Sequence, residues 1–394
     1  MAPLSFLIKP VSGSCNLRCS YCFYADERAK GGTSSFGSMT RETMHAIVDC
    51  GLREAEGSLH LSFQGGEPTL RGLAFYQDLT AYVKQALVEK QTFEDRPTSR
   101  AKQHSGRKRS PVTVQYSLQT NGLLLDDDWC SWLHENNVLV GLSIDGPKEL
   151  HDRYRRSAEG AGSYAAVLRA AERLRRHGVA FNTLTVVTED AARKGQRIAN
   201  FFEKQGFRYQ QYIECLDPLD EPAGQHTYSL TPARYGEFLK ASFDAWYQAF
   251  QAGRYVYNRY FENLLMILAG QVPESCALRG SCVPQWVIEA DGSVYPCDFY
   301  VLDEWKLGMI QTDSLAEMER RRTALGFLEA SCKVPEQCQA CSVYALCRNG
   351  CRRNRLLENG GVNRFCAAYQ SFLPYALPRL QQVLMALKRQ ANVR

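Results

Sequence analysis

The chain has 394 residues, 45% hydrophobic and 23% charged, which is the balance of a globular protein with two or three folded units and excludes disorder and a collagen-like repeat. Net charge is +5, but residues 96–109 hold six Lys or Arg and no acid; the rest sits at about −1, and no nucleic-acid partner is implied. No apolar run approaches the roughly 18 residues of a membrane helix, and the opening MAPLSFLIKPV has no basic region and breaks at Lys9-Pro10, so a soluble cytoplasmic protein without a secretory leader is expected.

The first 220 residues alternate two hydrophobic periods. Strand-like runs fall at Leu4–Ile8, Leu59–Phe63, Val112–Leu118, Val138–Ile144, Phe181–Val187 and Tyr209–Ile213. Amphipathic segments lie between them near 40–56, 72–90, 127–136, 163–177 and 190–205. In one of these, Ala165, Leu168, Ala171 and Leu174 form an apolar stripe behind Ser163, a residue type that caps helices. Six strands separated by helices imply an α/β fold with parallel pairing, as an open sheet or part of a barrel. In barrels the chemistry gathers where strands end.

Five of the six strands run into polar, Gly- or Cys-containing loops at that end. These are the Cys-rich loop after strand one, Gln64-Gly65-Gly66-Glu67-Pro68, Gln119-Thr120-Asn121-Gly122, Asp145-Gly146-Pro147 and Cys215-Leu216-Asp217-Pro218. A single site is expected there. Residues 91–110 interrupt the pattern as a basic surface insertion, without the interleaved aromatics of a single-strand nucleic-acid groove. Residues 231–270 read as helical, with Tyr235, Phe238, Leu239, Phe243 and Trp246 in the core. Residues 271–366 are Cys-rich with little apolar period, so metal is expected to hold them together. A closing helix is expected from Tyr369 to about Lys388.

Fifteen cysteines without a secretory leader point to metal or redox chemistry rather than a disulfide framework. Cys15, Cys19 and Cys22 form C-x3-C-x2-C directly after strand one. Three thiolates hold three corners of a 4Fe–4S cube and leave the fourth iron open; a zinc site lacking one ligand is the competing reading. Later come Cys276-x5-Cys282-x9-Gly292-x4-Cys297, then Cys338-x2-Cys341-x5-Cys347-x3-Cys351 and Cys366. Eight thiolates satisfy two fully ligated clusters, or two four-thiolate zinc sites. Of the remaining four, Cys50 and Cys130 lie in helical patterns as small core residues.

The triplet after strand one, with GGEP after strand two, resembles the radical S-adenosylmethionine superfamily. The later cysteines resemble the twice-clustered auxiliary domain called SPASM. More narrowly, IKPVSGSCNLRCSYCFY, FQGGEPTL, SLQTNG, GLSIDGPKELHD, CLDPL and DGSVYPCDFYVLDEWKLG are similar to the anaerobic sulfatase-maturating enzymes.

That resemblance implies a partial (β/α)6, TIM-like barrel over residues 1–230, a helical connection over 231–270, a SPASM domain over 271–366 and a C-terminal helix over 367–394. It implies three 4Fe–4S clusters: one on Cys15, Cys19 and Cys22, one on Cys276, Cys282, Cys297 and Cys351, one on Cys338, Cys341, Cys347 and Cys366. S-adenosylmethionine would meet Tyr21, Gly66, Glu67, Ser143, Arg155 and Leu216, with Gly66 allowing close backbone approach, Glu67 receiving the amino group and Arg155 the carboxylate. A 5′-deoxyadenosyl radical would take hydrogen from Cβ of a Cys or Ser in a sulfatase peptide, giving formylglycine, with Asp298 as base. An external one-electron donor such as flavodoxin or ferredoxin and a monomeric state are further implications. The competing functions are another peptide-modifying maturase of this type, such as a thioether-forming one, and a non-catalytic iron–sulfur or zinc protein.

Overall fold

The computed structural model describes residues 4–30, 36–94, 112–219, 221–356 and 360–392; from residue 95 onward the basic insertion lies outside the described residues. Six parallel strands, β1 (Leu4–Ile8), β2 (Ser58–Phe63), β3 (Thr113–Thr120), β4 (Leu139–Ser143), β5 (Phe181–Val187) and β6 (Tyr209–Glu214), stand side by side in chain order. The residues of the face that packs against the helices, among them Phe6, Leu61, Leu118, Val140 and Leu142, are fully buried. Gln119 and Thr120 finish β3 rather than opening its loop.

Helices cover the outside. Thr40 caps Arg41–Glu54 by accepting from Thr43 N at 3.2 Å, and Asp126 caps Asp127–Glu135 through Trp129 N at 2.9 Å. Ser163 stands at the N-cap of Tyr164–Arg176, but its hydroxyl makes no capping bond and donates instead to the Arg155 carbonyl at 2.9 Å. The buried face of that helix is Val167, Ala170, Ala171 and Leu174, while Ala165 is exposed. The expected stripe was therefore rotated, because the 3.6-residue turn puts 167, 170, 171 and 174 together.

The helical stretch after β6 divides into Pro232–Gln251 and Arg259–Leu268. Gly253 takes the left-handed conformation where the first ends, and Asn258 starts the second by accepting from Tyr260 N and Phe261 N. All five apolar side chains expected in the core are buried. The closing helix runs from Cys366 to Asn392 and includes Pro374 and Pro378; Phe372, Leu373, Ala376 and Leu380 are buried.

The sheet does not stop at the barrel strands. Short β7 (Tyr257–Asn258) pairs with β6, and β8 (Trp286–Ile288) lies parallel to the outer edge of β1, with Ile8 opposite Ile288. Strands β9 (Ser293–Tyr295) and β10 (Gly308–Met309) extend that edge antiparallel, making ten strands in one sheet among the described residues. The Cys-rich region is thus bonded to the barrel through β1. Among the described residues no helix is long and apolar enough to cross a membrane.

Candidate functional site

The loops after the first four strands are tied into one floor. The β1 loop turns on itself through Ser12 N to Lys9 O and Ser14 N to Val11 O, which presents Cys15. The β2 loop lies directly on it: Gly66 N donates to Ser12 O at 2.7 Å and Glu67 N to Ser14 O at 2.8 Å. A Cβ on Gly66 would stand 2.0 Å from Ser14 O. The close approach that requires this glycine is to the chain's own cysteine loop.

Glu67 is fully buried, and its carboxylate already serves protein donors. Oε1 accepts from Thr69 N, Thr69 Oγ1 and Thr120 Oγ1, and Oε2 accepts from Asn121 N at 2.7 Å. Burial pushes its carboxyl above the usual range, and those donors pull it back. Asn121 in turn donates to Asn16 Oδ1 at 2.7 Å and reaches Cys15 Sγ at 3.7 Å. Glu67 therefore joins the β2 and β3 loops behind Cys15, a task sequence reasoning did not assign to it.

Arg155 differs from expectation in the same way. Its guanidinium, 8% exposed, is taken by Asp145, 3% exposed, through Nε at 2.8 Å and Nη2 at 3.2 Å. Asp145 also accepts from Tyr21 Oη and from Val186 N at 3.0 Å. The carboxylate that fills the arginine fork is thus the protein's own. His151 holds this corner from behind. Its Nδ1 accepts from Asp145 N and its Nε2 faces Ser163 Oγ at 2.9 Å; since that hydroxyl donates to Arg155 O, Nε2 carries the proton. Burial pushes His151 down to about 4.

Cys15, Cys19 and Cys22 are half-buried above this floor, and all fifteen thiols are free. Burial pushes the Cys19 thiol up to about 12, with Arg155 opposing and Cys22, Asp145 and Cys15 adding to the rise. Tyr21 is buried within the triplet, and Ser143 closes β4 as a buried residue.

Of the later eight cysteines Cys338 is buried and the other seven are half-buried. Burial raises Cys276, Cys282, Cys297 and Cys351, the last to about 12; Cys276 adds to the rise of the other three, Cys351 to that of Cys297 and Cys282 to that of Cys351. Burial also raises Cys338, Cys347 and Cys366, Cys347 to about 12; Cys366 and Cys341 add to the rise of Cys338 and Cys347, and Cys341 to that of Cys366. The cysteine charges named here fall within the two quartets that the resemblance implies. Backbone N–H groups of Ala277, Phe299, Arg353 and Asn349 point at Cys276, Cys297, Cys351 and Cys347, donors that suit charged sulfur. All four thiols of the first quartet line one cavity of about 360 Å³. The donor chemistry fits a four-thiolate cluster. Among the described residues no three His, Cys, Asp or Glu side chains converge on a single-ion site. Cys50, Cys130 and Cys215 are buried apart from the quartets, and Cys332 is exposed.

Leu216 and Asp298 line the same cavity, and Asp298 is embedded in a network that sequence reasoning missed. Tyr24 Oη donates to its Oδ2 at 2.7 Å, and Lys9 Nζ lies 3.0 Å from Oδ1. Lys9, 1% exposed, also faces Glu289 Oε1 at 3.3 Å, and Glu289 is 2% exposed. Burial raises the Glu289 carboxyl, against Lys9 and Ser12. The available signal was a charge inside an apolar run, twice over: LSFLIKPV and WVIEADG.

The profile described as the Radical SAM superfamily matches residues 10–199, and that of an iron–sulfur cluster-binding domain matches 282–342. The cysteine-type anaerobic sulfatase-maturating enzyme of Clostridium novyi (strain NT) is 42% identical over 98% of this chain and 99% of its own length. The serine-type anaerobic sulfatase-maturating enzyme of Bacteroides thetaiotaomicron is 29% identical over 99% of this chain and 94% of its own length. Among solved structures, native anSMEcpe with bound AdoMet and the Cp18Cys peptide superposes with a TM-score of 0.87 at 42% identity, covering 98% of this chain and 100% of that one. Streptococcus suis SuiB, 14% identical with a TM-score of 0.57 over 92% of this chain and 76% of its own, shares the fold.

Proposed function

The chain belongs to the anaerobic sulfatase-maturating enzymes of the radical S-adenosylmethionine superfamily, and from that premise we propose how its own residues divide the work. It is an oxidoreductase that converts a Cys or Ser of a sulfatase to Cα-formylglycine without oxygen, and it uses S-adenosylmethionine and three 4Fe–4S clusters. When bound, the open cluster and S-adenosylmethionine supply a 5′-deoxyadenosyl radical that takes hydrogen from the substrate Cβ.

Cys15, Cys19 and Cys22 hold the open cluster. The two quartets hold the auxiliary clusters, one on Cys276, Cys282, Cys297 and Cys351 and the other on Cys338, Cys341, Cys347 and Cys366. Tyr21, Gly66, Glu67, Ser143, Arg155 and Leu216 surround the nucleoside cofactor. Within that set Gly66, Glu67 and the Arg155–Asp145 pair act mainly by fixing the loops, as their internal bonds indicate. The sulfatase segment enters the cavity lined by Leu216 and Asp298. Asp298 removes the thiol or hydroxyl proton of the reacting residue, its Oδ2 aligned by Tyr24 and its Oδ1 set against the Lys9 ammonium.

The observation that carries this reading is Asp298 on the wall of a cavity it shares with a thiol quartet. The substrate is of the cysteine type, in line with the more similar relatives. The enzyme works as a cytoplasmic monomer supplied by a flavodoxin or ferredoxin. The division of the chain that goes with this reading is 1–230 for the barrel, 231–270 for the helical connection, 271–366 for the cluster domain and 367–394 for the closing helix. Asp298→Asn is the test, with a Cys-containing sulfatase peptide and mass spectrometry. It keeps all iron and still releases deoxyadenosine, but gives little aldehyde. Full formylglycine output from that variant removes Asp298 from the chemistry.

A further inference from the structure

The segment from 348 to 364 contains Cys351 of one quartet, lies in sequence between Cys347 and Cys366 of the other, and carries five arginines, Arg348, Arg352, Arg353, Arg355 and Arg364, against one acid, Glu358. Their guanidinium groups are spent on backbone oxygen. Arg348 donates to Leu278 O, Arg352 to Phe327 O and Arg353 to Asp217 O; Arg364 alone adds a carboxylate, Asp217, at 2.6 Å.

Arg355 is the extreme case. Its Nη1 donates to Ser331 O at 2.5 Å, Nη2 to Gly280 O at 3.2 Å and to Gly350 O at 3.1 Å, and Nε to Asn349 O at 3.3 Å. Among the described residues no carboxylate lies within ion-pair distance of it. Gly280 is two residues before Cys282, Gly350 immediately precedes Cys351, and Asn349 is two residues after Cys347. One guanidinium is therefore held against loops that carry cysteines of both quartets. Its field reaches a thiol of each: burial raises Cys282 and Cys338, and Arg355 is among the groups that oppose it in both cases.

Among the described residues carbonyl oxygens alone hold this guanidinium, so its positive charge is left to act on an anion bound nearby. A 4Fe–4S cube with four thiolates is that anion, a dianion when oxidised and a trianion when reduced. Resting on the assignment of the two quartets to auxiliary clusters, we propose that Arg355 is a positioning residue that supplies the shared positive charge between them and raises the reduction potential of both. The sign follows from Coulomb's law, because a nearby cation favours the more negative, reduced form. An auxiliary cluster poised this way accepts an electron more readily, which suits a region next to the site where the substrate must lose one.

The test uses the anaerobically reconstituted full-length enzyme and its Arg355→Gln and Arg355→Lys variants. Iron and labile sulfide are measured first, and redox titrations are then followed by electron paramagnetic resonance. The signal altered by adding S-adenosylmethionine marks the first cluster and serves as an internal reference. The expected result is a Gln variant with full iron whose auxiliary signals move to more negative potential, by at least a tenfold change in the reduced-to-oxidised ratio at fixed poise (59 mV for one electron). The Lys variant moves less and the first cluster stays put. An unmoved potential in an iron-replete Gln variant overturns the proposal. So does an equal shift in Lys and Gln, or loss of iron from both, which marks a latch rather than a charge. The cluster assignment fails separately, and takes this inference with it, if the unsubstituted enzyme holds iron for the first cluster alone.

Discussion

Gly66→Ala tests whether the cysteine loop is shaped by the loop beneath it. The new methyl carbon would stand 2.0 Å from Ser14 O, 2.5 Å from Ser14 C and 2.6 Å from Gly13 C. Non-bonded heavy atoms rest at about 3.5 Å or more, so the two loops must part by roughly 1.5 Å. The atoms in the way are backbone, which no rotamer change can move aside. Separation on that scale breaks Gly66 N to Ser12 O and Glu67 N to Ser14 O. Losing two such bonds with their groups left buried costs about 2–6 kcal/mol. A protein stabilised by about 5–15 kcal/mol remains folded after a loss of that size in most of its range. The damage is therefore local, and Cys15 is the residue displaced. The expected enzyme is soluble, melts earlier, and holds about two-thirds of normal iron, as one of three four-iron clusters is lost. Its auxiliary cluster signals persist, and deoxyadenosine release stops. Iron and sulfide analysis with chromatography of deoxyadenosine reads all of this. A Gly66→Ala enzyme with full iron and undiminished deoxyadenosine would refute the argument that this glycine is required by loop contact.

His151 predicts a pH dependence of stability. Its folded value is about 4 because it is buried, against about 6.5 when unfolded, so between those values the unfolded chain binds a proton that the native one does not. Stability is full above about pH 6.5 and falls as the pH drops toward 4, by at most about 3 kcal/mol. Melting at pH 7 and pH 5 should separate widely for the native enzyme and less for His151→Gln; parallel slopes would dismiss this histidine. For the cysteines, Cys332→Ser and Cys50→Ala should leave iron content unchanged, whereas Cys351→Ala should lose the cluster of the first quartet. Iron loss from the Cys332 variant would bring that thiol into a ligand set.

Much of this was legible because the relevant signals are local. Alternating apolar periods located the six strands to within two residues at either end, and five core side chains of Pro232–Gln251 were read from helical spacing. The cysteine count and spacing led to eight later ligand candidates, and the family resemblance to their division into two quartets. What escaped was non-local. Asp145 was visible in its DGP loop, but nothing in the sequence couples it to Arg155 ten residues later or to Tyr21 in another loop. For Gly66 and Glu67 the motif pointed to the cofactor but did not reveal that their backbone and the Glu67 carboxylate also bond inside the protein. The rotated stripe of Tyr164–Arg176 has a different cause. Ala165 and Leu168 fit an i, i+3 series, yet small residues at 170 and 171 allow closer packing on the sheet and set the buried face.

The position of Asp298 depends on one strand pairing. Strand β8 lies on β1 with Phe6 opposite Trp286, Leu7 opposite Val287 and Ile8 opposite Ile288, and Lys9 N continues the ladder to Ile288 O at 2.8 Å. The next residues along are Lys9 and Glu289, so a buried lysine and a buried glutamate meet where the two strands end. The hairpin that follows returns the chain through β9 to Cys297 and Asp298, which closes on the same ammonium. Slipping that pairing by one residue would turn alternate side chains to the opposite face, bury Lys9 without its partner and carry Asp298 away from Tyr24. Burying a lone ammonium is costly, whereas the observed register meets it with two carboxylates. The ion cluster therefore selects the register, and the register fixes the carboxylate against the cavity wall. In this protein the two halves of the chain are joined by the same residues that orient the proposed base.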